Sequence, residues 1–172
     1  MTTIHHKTAF ITGASSGIGA ELAREFAKHG FSIALCARRT DRLNNLVEEL
    51  KKTGTESIAL TCDVTNTQSL QNAVQKTIEA FGRIDVVIAN AGFGVNGYFE
   101  DLSLDDYKRQ FETNVVGVLD TIYQTLPELK KTKGNLAPSM QCFWPYSLFS
   151  EYCIFNEQVC GESPGPGFAP RA

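Results

Sequence analysis

Thr-Gly-Ala-Ser-Ser-Gly-Ile-Gly, residues 12–19, decides the fold, because the apolar run Ala9, Phe10, Ile11 feeds into it and an amphipathic segment follows. Gly13, Gly17 and Gly19 permit a tight turn, a close approach of the backbone to a pyrophosphate, and a helix start packed against a strand. Ser15 and Ser16 add hydroxyl donors. The helix beginning there presents free N–H groups and the positive end of its dipole to a phosphate. A glycine-rich turn alone is a weak signal. The flanks strengthen it, since Ile18, Leu22 and Phe26 recur at i, i+4 and i+8 and predict one apolar stripe against a sheet.

Outward from that turn, short β-branched or apolar runs alternate with amphipathic segments as far as residue 89, the pattern of βαβ units and a parallel sheet. Strands are expected over 8–12, 31–37, 57–61 and 84–89, each apolar enough to be covered on both faces. Helices are expected over 17–29, 41–52 and 67–81, with stripes Leu43, Leu46, Val47, Leu50 and Leu70, Val74, Ile78. Gly30, Gly54 and Gly82 fall where left-handed helix ends belong. Residues 90–101 form a glycine-rich loop, Ser103 and Asp106 spell a capping box, and Val115, Leu119, Ile122 and Leu126 continue an apolar stripe to Leu129.

With 172 residues, of which 42% are hydrophobic, the chain has material for one core. A net charge of −3, with no basic cluster beyond the pairs 38–39, 51–52 and 130–131, points away from nucleic acid and toward a small anionic ligand. The first seven residues are not a secretory leader, and no apolar run of eighteen exists, so a cytoplasmic protein with no membrane contact is expected. Cys36 and Cys62 read as small buried hydrophobes, whereas Cys142, Cys153 and Cys160 crowd the C-terminal quarter. No C-x-x-C pair occurs and His5, His6 and His29 lie far from the cysteines, so no metal site is expected.

After Gly134 the character changes. Residues 135–172 hold no lysine, one arginine, five of the six prolines, three of the five cysteines and the only tryptophan, and are expected to be irregular. Two parts follow: a dinucleotide-binding domain over 1–134 and a tail over 135–172.

Residues 1–134 closely resemble the short-chain dehydrogenase/reductase family. Residues 12–19 are similar to its Thr-Gly-x-x-x-Gly-x-Gly cofactor motif, and Asp63-Val64 resembles the pair that meets the adenine ring. Asn90-Ala91-Gly92 matches its Asn-Ala-Gly motif, and Asn114, in Thr-Asn-Val-Val-Gly, resembles its catalytic asparagine. The resemblance implies a Rossmann-like, doubly wound α/β sheet that binds a nicotinamide dinucleotide. It also implies hydride exchange with a small-molecule carbonyl or alcohol, and a homo-oligomer built through helices that are partly absent from this sequence. Charge refines the cofactor: the strand expected over 31–37 runs into Arg38 and Arg39, with no acid for the ribose hydroxyls. Arg38 is placed to pair with a 2′-phosphate and Arg39 to support it or stack on the adenine side, which favours NADP over NAD.

The family's proton-donating tyrosine, the lysine four residues later and an upstream serine are missing. Tyr98, Tyr107, Tyr123, Tyr146 and Tyr152 are followed four residues on by Leu102, Phe111, Pro127, Ser150 and Asn156, and Ser139 has no apolar fifth-strand run before it. Seven strands at roughly 30 residues per βα unit need about 210 residues, so the sheet is expected to be incomplete. The codons permitted after Asn135, read one base later, allow a family-like serine strand end across 140–145, a tyrosine across 154–155 and a lysine across 158–159. The tail is therefore expected to be an out-of-frame translation of a catalytic half. The chain as written is expected to be a catalytically inactive, poorly stable descendant of NADP-dependent oxidoreductases. The alternatives are a non-catalytic nucleotide-binding or regulatory fragment, and a diverged enzyme with another acid.

Overall fold

A computed structural model describes residues 6–139. Strands β1 (Thr8–Thr12), β2 (Ser32–Ala37), β3 (Ser57–Thr61) and β4 (Val86–Ala89) alternate with helices α1 (Gly17–Lys28), α2 (Thr40–Lys52) and α3 (Thr67–Phe81). After a 3₁₀ turn at Phe99–Asp101 come α4 (Leu104–Phe111), a π-helical segment (Glu112–Val116), α5 (Gly117–Thr132) and β5 (Asn135–Pro138). The sheet is parallel throughout, in the order β3-β2-β1-β4-β5. The chain builds outward from β1 to β3 and then crosses back to β4, so the order reverses at β1 and leaves a crevice at its carboxyl end.

The period of two along each strand feeds two cores. Ala9, Ile11, Ile33 and Leu35 face α1 and α2, meeting Leu43, Leu46, Val47 and Leu50. Phe10, Ala34 and Cys36 face the other way, onto Leu70, Ala73 and Val74 of α3 and Leu129 of α5. Leu43 and Leu70 are fully buried, each worth about 1.5–3 kcal/mol. Both stripes expected for α2 and α3 lie on these faces. Gly30, Gly54 and Gly82 follow the three helices with φ of 77°, 80° and 75°, as left-handed ends require. The Ser103–Asp106 capping box forms, each side chain bonding the other's backbone N–H.

Three expectations need correction. The buried side of α1 is Gly19, Ala20 and Ala23, with Leu22 and Phe26 at its margin and Ile18 47% exposed. Small residues let the helix lie closer to β1 than an Ile-Leu-Phe stripe allows. The buried side of α5 is Gly117, Val118, Thr121, Thr125 and Leu129, while Leu119 is half exposed. The π segment interrupts the 3.6-residue period, and Thr121 and Thr125 donate their hydroxyls to Gly117 O and Thr121 O, each at 2.7 Å, so they bury no unsatisfied group.

The third correction concerns the boundary at 134. The expected irregular tail begins instead with β5, whose Asn135 to Pro138 pair in register with Val86 to Ala89. Ser139 then donates its N–H to Ala89 O at 2.9 Å, so a fifth strand does precede this serine. An Asn-Leu-Ala-Pro run carries little strand preference of its own, and pairing with β4 overrides it. Proline is tolerated because it ends a strand that, among the described residues, pairs only with β4. The rest of the tail, with the shifted-frame serine, tyrosine and lysine positions, lies outside the described residues. Among the described residues no helix is long and apolar enough to cross a membrane.

Candidate nucleotide-binding site

The loops leaving β1, β2, β3 and β4 converge on a cleft of about 470 Å³. Its first wall is the 12–19 turn. Gly13 has φ 68° and abuts the loop after β4 so closely that a Cβ there would lie 2.8 Å from Ala91 Cα. At Gly19 a Cβ would lie 2.6 Å from Gly13 O and 2.7 Å from Asn90 Nδ2. Both glycines are therefore fixed by close approach of backbone. The N-cap of α1, Ser16, makes no side-chain capping bond, and no acid occupies the first turn, so the positive helix end stays uncompensated toward the cleft.

Thr12 fastens this turn to the loop after β4. Its Oγ1 accepts from Asn90 N at 3.0 Å and Ala91 N at 3.1 Å, while Asn90 Nδ2 donates to Thr12 O at 3.2 Å. Asn90 thus holds the turn as well as lining the cleft.

Arg38 and Arg39 are exposed at the end of β2, on the cleft rim. Arg39 Nη2 donates to Ser15 Oγ at 3.1 Å and Ser16 Oγ at 2.7 Å. Each serine oxygen accepts from the guanidinium and keeps its own O–H to donate. Arg39, not Arg38, makes this bridge, which two adjacent arginines do not reveal in sequence.

Asp63 is a turn acid: its Oδ1 accepts from Thr65 N at 3.0 Å and Thr65 Oγ1 at 2.8 Å, while Asn66 caps α3. It still lines the cleft with Val64, and Gly117 packs against Val64 so tightly that a Cβ would lie 2.7 Å from Cγ2. Cys62 lies at the floor; burial pushes its thiol up to about 11, against the opposing pull of the Ser69 hydroxyl.

Of the expected cofactor residues, Gly13, Ser15, Ser16, Gly17, Ile18, Arg38, Arg39, Asp63, Val64, Asn90, Ala91 and Gly92 line the cleft. Gly19 lies beneath it, in contact with Gly13. Asn114 sits behind the wall in the π segment, buried, with Oδ1 accepting from Phe93 N at 3.0 Å and Nδ2 donating to Phe93 O at 2.8 Å. Phe93, which begins the 93–99 stretch that the sequence offers for substrate contact, lines the cleft together with Thr113, which sequence reasoning missed along with Gln110, a residue that binds the same loop. Position beside the Asn114 motif was the available signal for Thr113.

This donor set suits a dinucleotide: the Ser15 and Ser16 hydroxyls and the uncompensated start of α1 face the cleft, with Arg38 and Arg39 on its rim. Among the described residues no group of three or more His, Cys, Asp or Glu could hold a metal ion.

Comparison with known proteins agrees with the geometry. Residues 7–153 match the family described as short chain dehydrogenase. An 11-beta-hydroxysteroid dehydrogenase-like protein of Arabidopsis thaliana is 38% identical over 135 residues, 77% of this chain and 45% of the relative. An alcohol dehydrogenase from the archaeon Thermococcus sibiricus, solved with 5-hydroxy-NADP, is 40% identical with a TM-score of 0.74, covering 77% of this chain and 57% of that one. A 7 alpha-hydroxysteroid dehydrogenase solved with NADH and a 7-oxo bile acid is 33% identical with a TM-score of 0.72, covering 77% and 52%. The chain spans about half the length of the curated relatives it matches, 45% of one and 54% of another.

Proposed function

The chain belongs to the short chain dehydrogenase family, a family of oxidoreductases, and from that premise we propose that its cleft binds NADP in preference to NAD. The observation that carries this reading is the Arg39 bridge to Ser15 and Ser16 beside Arg38, at a strand end with no acid. A carboxylate there would accept the ribose hydroxyls of NAD; guanidinium groups pair instead with a 2′-phosphate. Amides in the first turn of α1 would take the pyrophosphate. Asp63 and Val64, which line the cleft, would flank the adenine, and Asn90, Ala91 and Gly92 wall the cleft over β4. When bound, the reduced cofactor supplies a hydride for the carbonyl carbon of a substrate, whose oxygen takes up a proton.

That proton is what this chain does not deliver. None of its five tyrosines has a lysine four residues on, so we assign the chain as written nucleotide binding without turnover, by descent from a carbonyl-reducing or alcohol-oxidising enzyme. Asn114 serves here through the backbone of Phe93.

Calorimetric titration of NADPH and NADH onto the full chain and its Arg38→Ala and Arg39→Ala variants tests the reading. NADPH is expected to bind at least about tenfold more tightly, and each alanine to weaken NADPH by about tenfold while leaving NADH nearly unchanged, modest values because both arginines are solvated. Equal affinities for the two nucleotides would remove the proposed preference. NADPH consumption by the purified chain with any member of a carbonyl panel would overturn the assignment of inactivity.

A further inference from the structure

Beyond Ala89 the chain leaves the sheet, and two side-chain amides from the α4–π run take over its backbone bonds. Asn114 holds both polar groups of Phe93, at 3.0 and 2.8 Å. Two residues further, Val95 N–H donates to Gln110 Oε1 at 3.0 Å. Contacts two residues apart on the passing chain fall to side chains four apart on the helical run, one turn from each other. Gln110 and Asn114 are thus set to grip alternate residues of a passing chain, as a neighbouring strand would. Gln110 is half-buried and its oxygen faces a half-buried amide, so loss of this bond leaves a partly desolvated N–H.

The gripped segment has a functional address. Phe93 lines the cleft with Asn90, Ala91 and Gly92, over β4, on the far side of β1 from Arg38 and Arg39. Resting on the nucleotide reading above, we propose that Gln110 is a positioning residue for the bound dinucleotide. Through Val95 it holds the wall over β4, and so it governs the grip on the nicotinamide half and not on the adenine half. Gln110 touches no ligand itself, and its oxygen is the part that matters: a carboxylate in its place accepts the same bond, whereas an aliphatic side chain does not.

The test uses the full chain, unsubstituted and as Gln110→Leu and Gln110→Glu, titrated calorimetrically with NADPH and with adenosine 2′,5′-bisphosphate, which carries the adenine half alone. Gln110→Leu is expected to weaken NADPH by about tenfold and the bisphosphate by less than about twofold, with Gln110→Glu restoring NADPH binding to near the parent value. Amide hydrogen exchange of the nucleotide-free protein gives a second readout, with Val95 expected to exchange about tenfold faster in Gln110→Leu. Unchanged NADPH affinity in Gln110→Leu overturns the proposal, as does equal weakening of both ligands, which marks general destabilisation. Failure of the unsubstituted chain to bind NADPH defeats the nucleotide reading instead; unchanged Val95 exchange then defeats the grip separately.

Discussion

Replacing Gly19 by alanine puts a methyl where the turn and the helix meet. That carbon would sit 2.6 Å from Gly13 O and 2.7 Å from Asn90 Nδ2, against about 3.5 Å for an unstrained contact. Gly13 is itself close to the loop after β4, since a Cβ on it would lie 2.8 Å from Ala91 Cα. The turn or the helix must therefore shift by roughly 0.9 Å, at a cost typical of overpacking, about 1–3 kcal/mol. Alanine's helix preference over glycine offsets up to about 1 kcal/mol of this. A net loss of up to about 2 kcal/mol after that offset lowers Tm by up to about 8 °C in a chain of this size. Binding suffers more specifically, since an amide poised for a bond of about 2.9 Å moves beyond the useful limit of about 3.5 Å. NADPH affinity is expected to fall at least about tenfold, equivalent to about 1.4 kcal/mol. Gly30→Ala supplies the comparison: its φ of 77° strains alanine by about 1–2 kcal/mol, yet no atom lies within 4 Å and the cleft is remote. Thermal unfolding by circular dichroism, paired with NADPH titration, should show similar stability losses and an affinity loss in Gly19→Ala alone. Parent-like affinity in Gly19→Ala, or equal weakening in Gly30→Ala, would refute the close-approach reasoning.

Two pH effects follow from the same geometry. Cys62 sits above its unfolded value of about 8.5, so its contribution is complete below that pH and is lost as pH rises toward about 11; Cys36, buried beside it, acts in the same direction. Denaturant midpoints measured across alkaline pH should fall less steeply in Cys62→Ala, and parallel curves would contradict this. Asp106 is held below the usual aspartate range by the Ser103 hydroxyl, the Ser103 amide and then Arg109. Its contribution is present above about pH 3.9 and is lost as pH falls through its lower folded value. Acid unfolding should therefore begin with α4 and lose that early phase in Asp106→Asn; identical acid profiles for the two proteins would exclude it.

What the sequence disclosed was what short-range chemistry controls. The 12–19 turn, the helix over 67–81, the glycine ends and the Ser103–Asp106 box each depend on residues within one or two turns, and each stands where expected. Faces were harder. The hydrophobic period put Ile18 against the sheet, but the need for Gly19 to touch Gly13 seats alanines there and turns Ile18 to the cleft mouth. In α5, threonines that satisfy their own hydroxyls are as buriable as leucines, and hydropathy does not register that. Strand β5 owes its existence to the exposed edge of β4 and not to its own composition. Nothing local in the sequence marks Gln110, because its partner is a backbone amide fifteen positions away.

The Thr12 hydroxyl ties together two lips of the cleft that lie 78 and 79 positions apart in the chain. Ligand entry then meets a mouth already shaped, and the entropy of ordering those loops was lost once, during folding. Reshaping that mouth would require β1 and β4 to move relative to each other, so its form is tied to the integrity of the sheet centre. A single methyl-bearing hydroxyl thus couples a local pocket to the global stability of the domain.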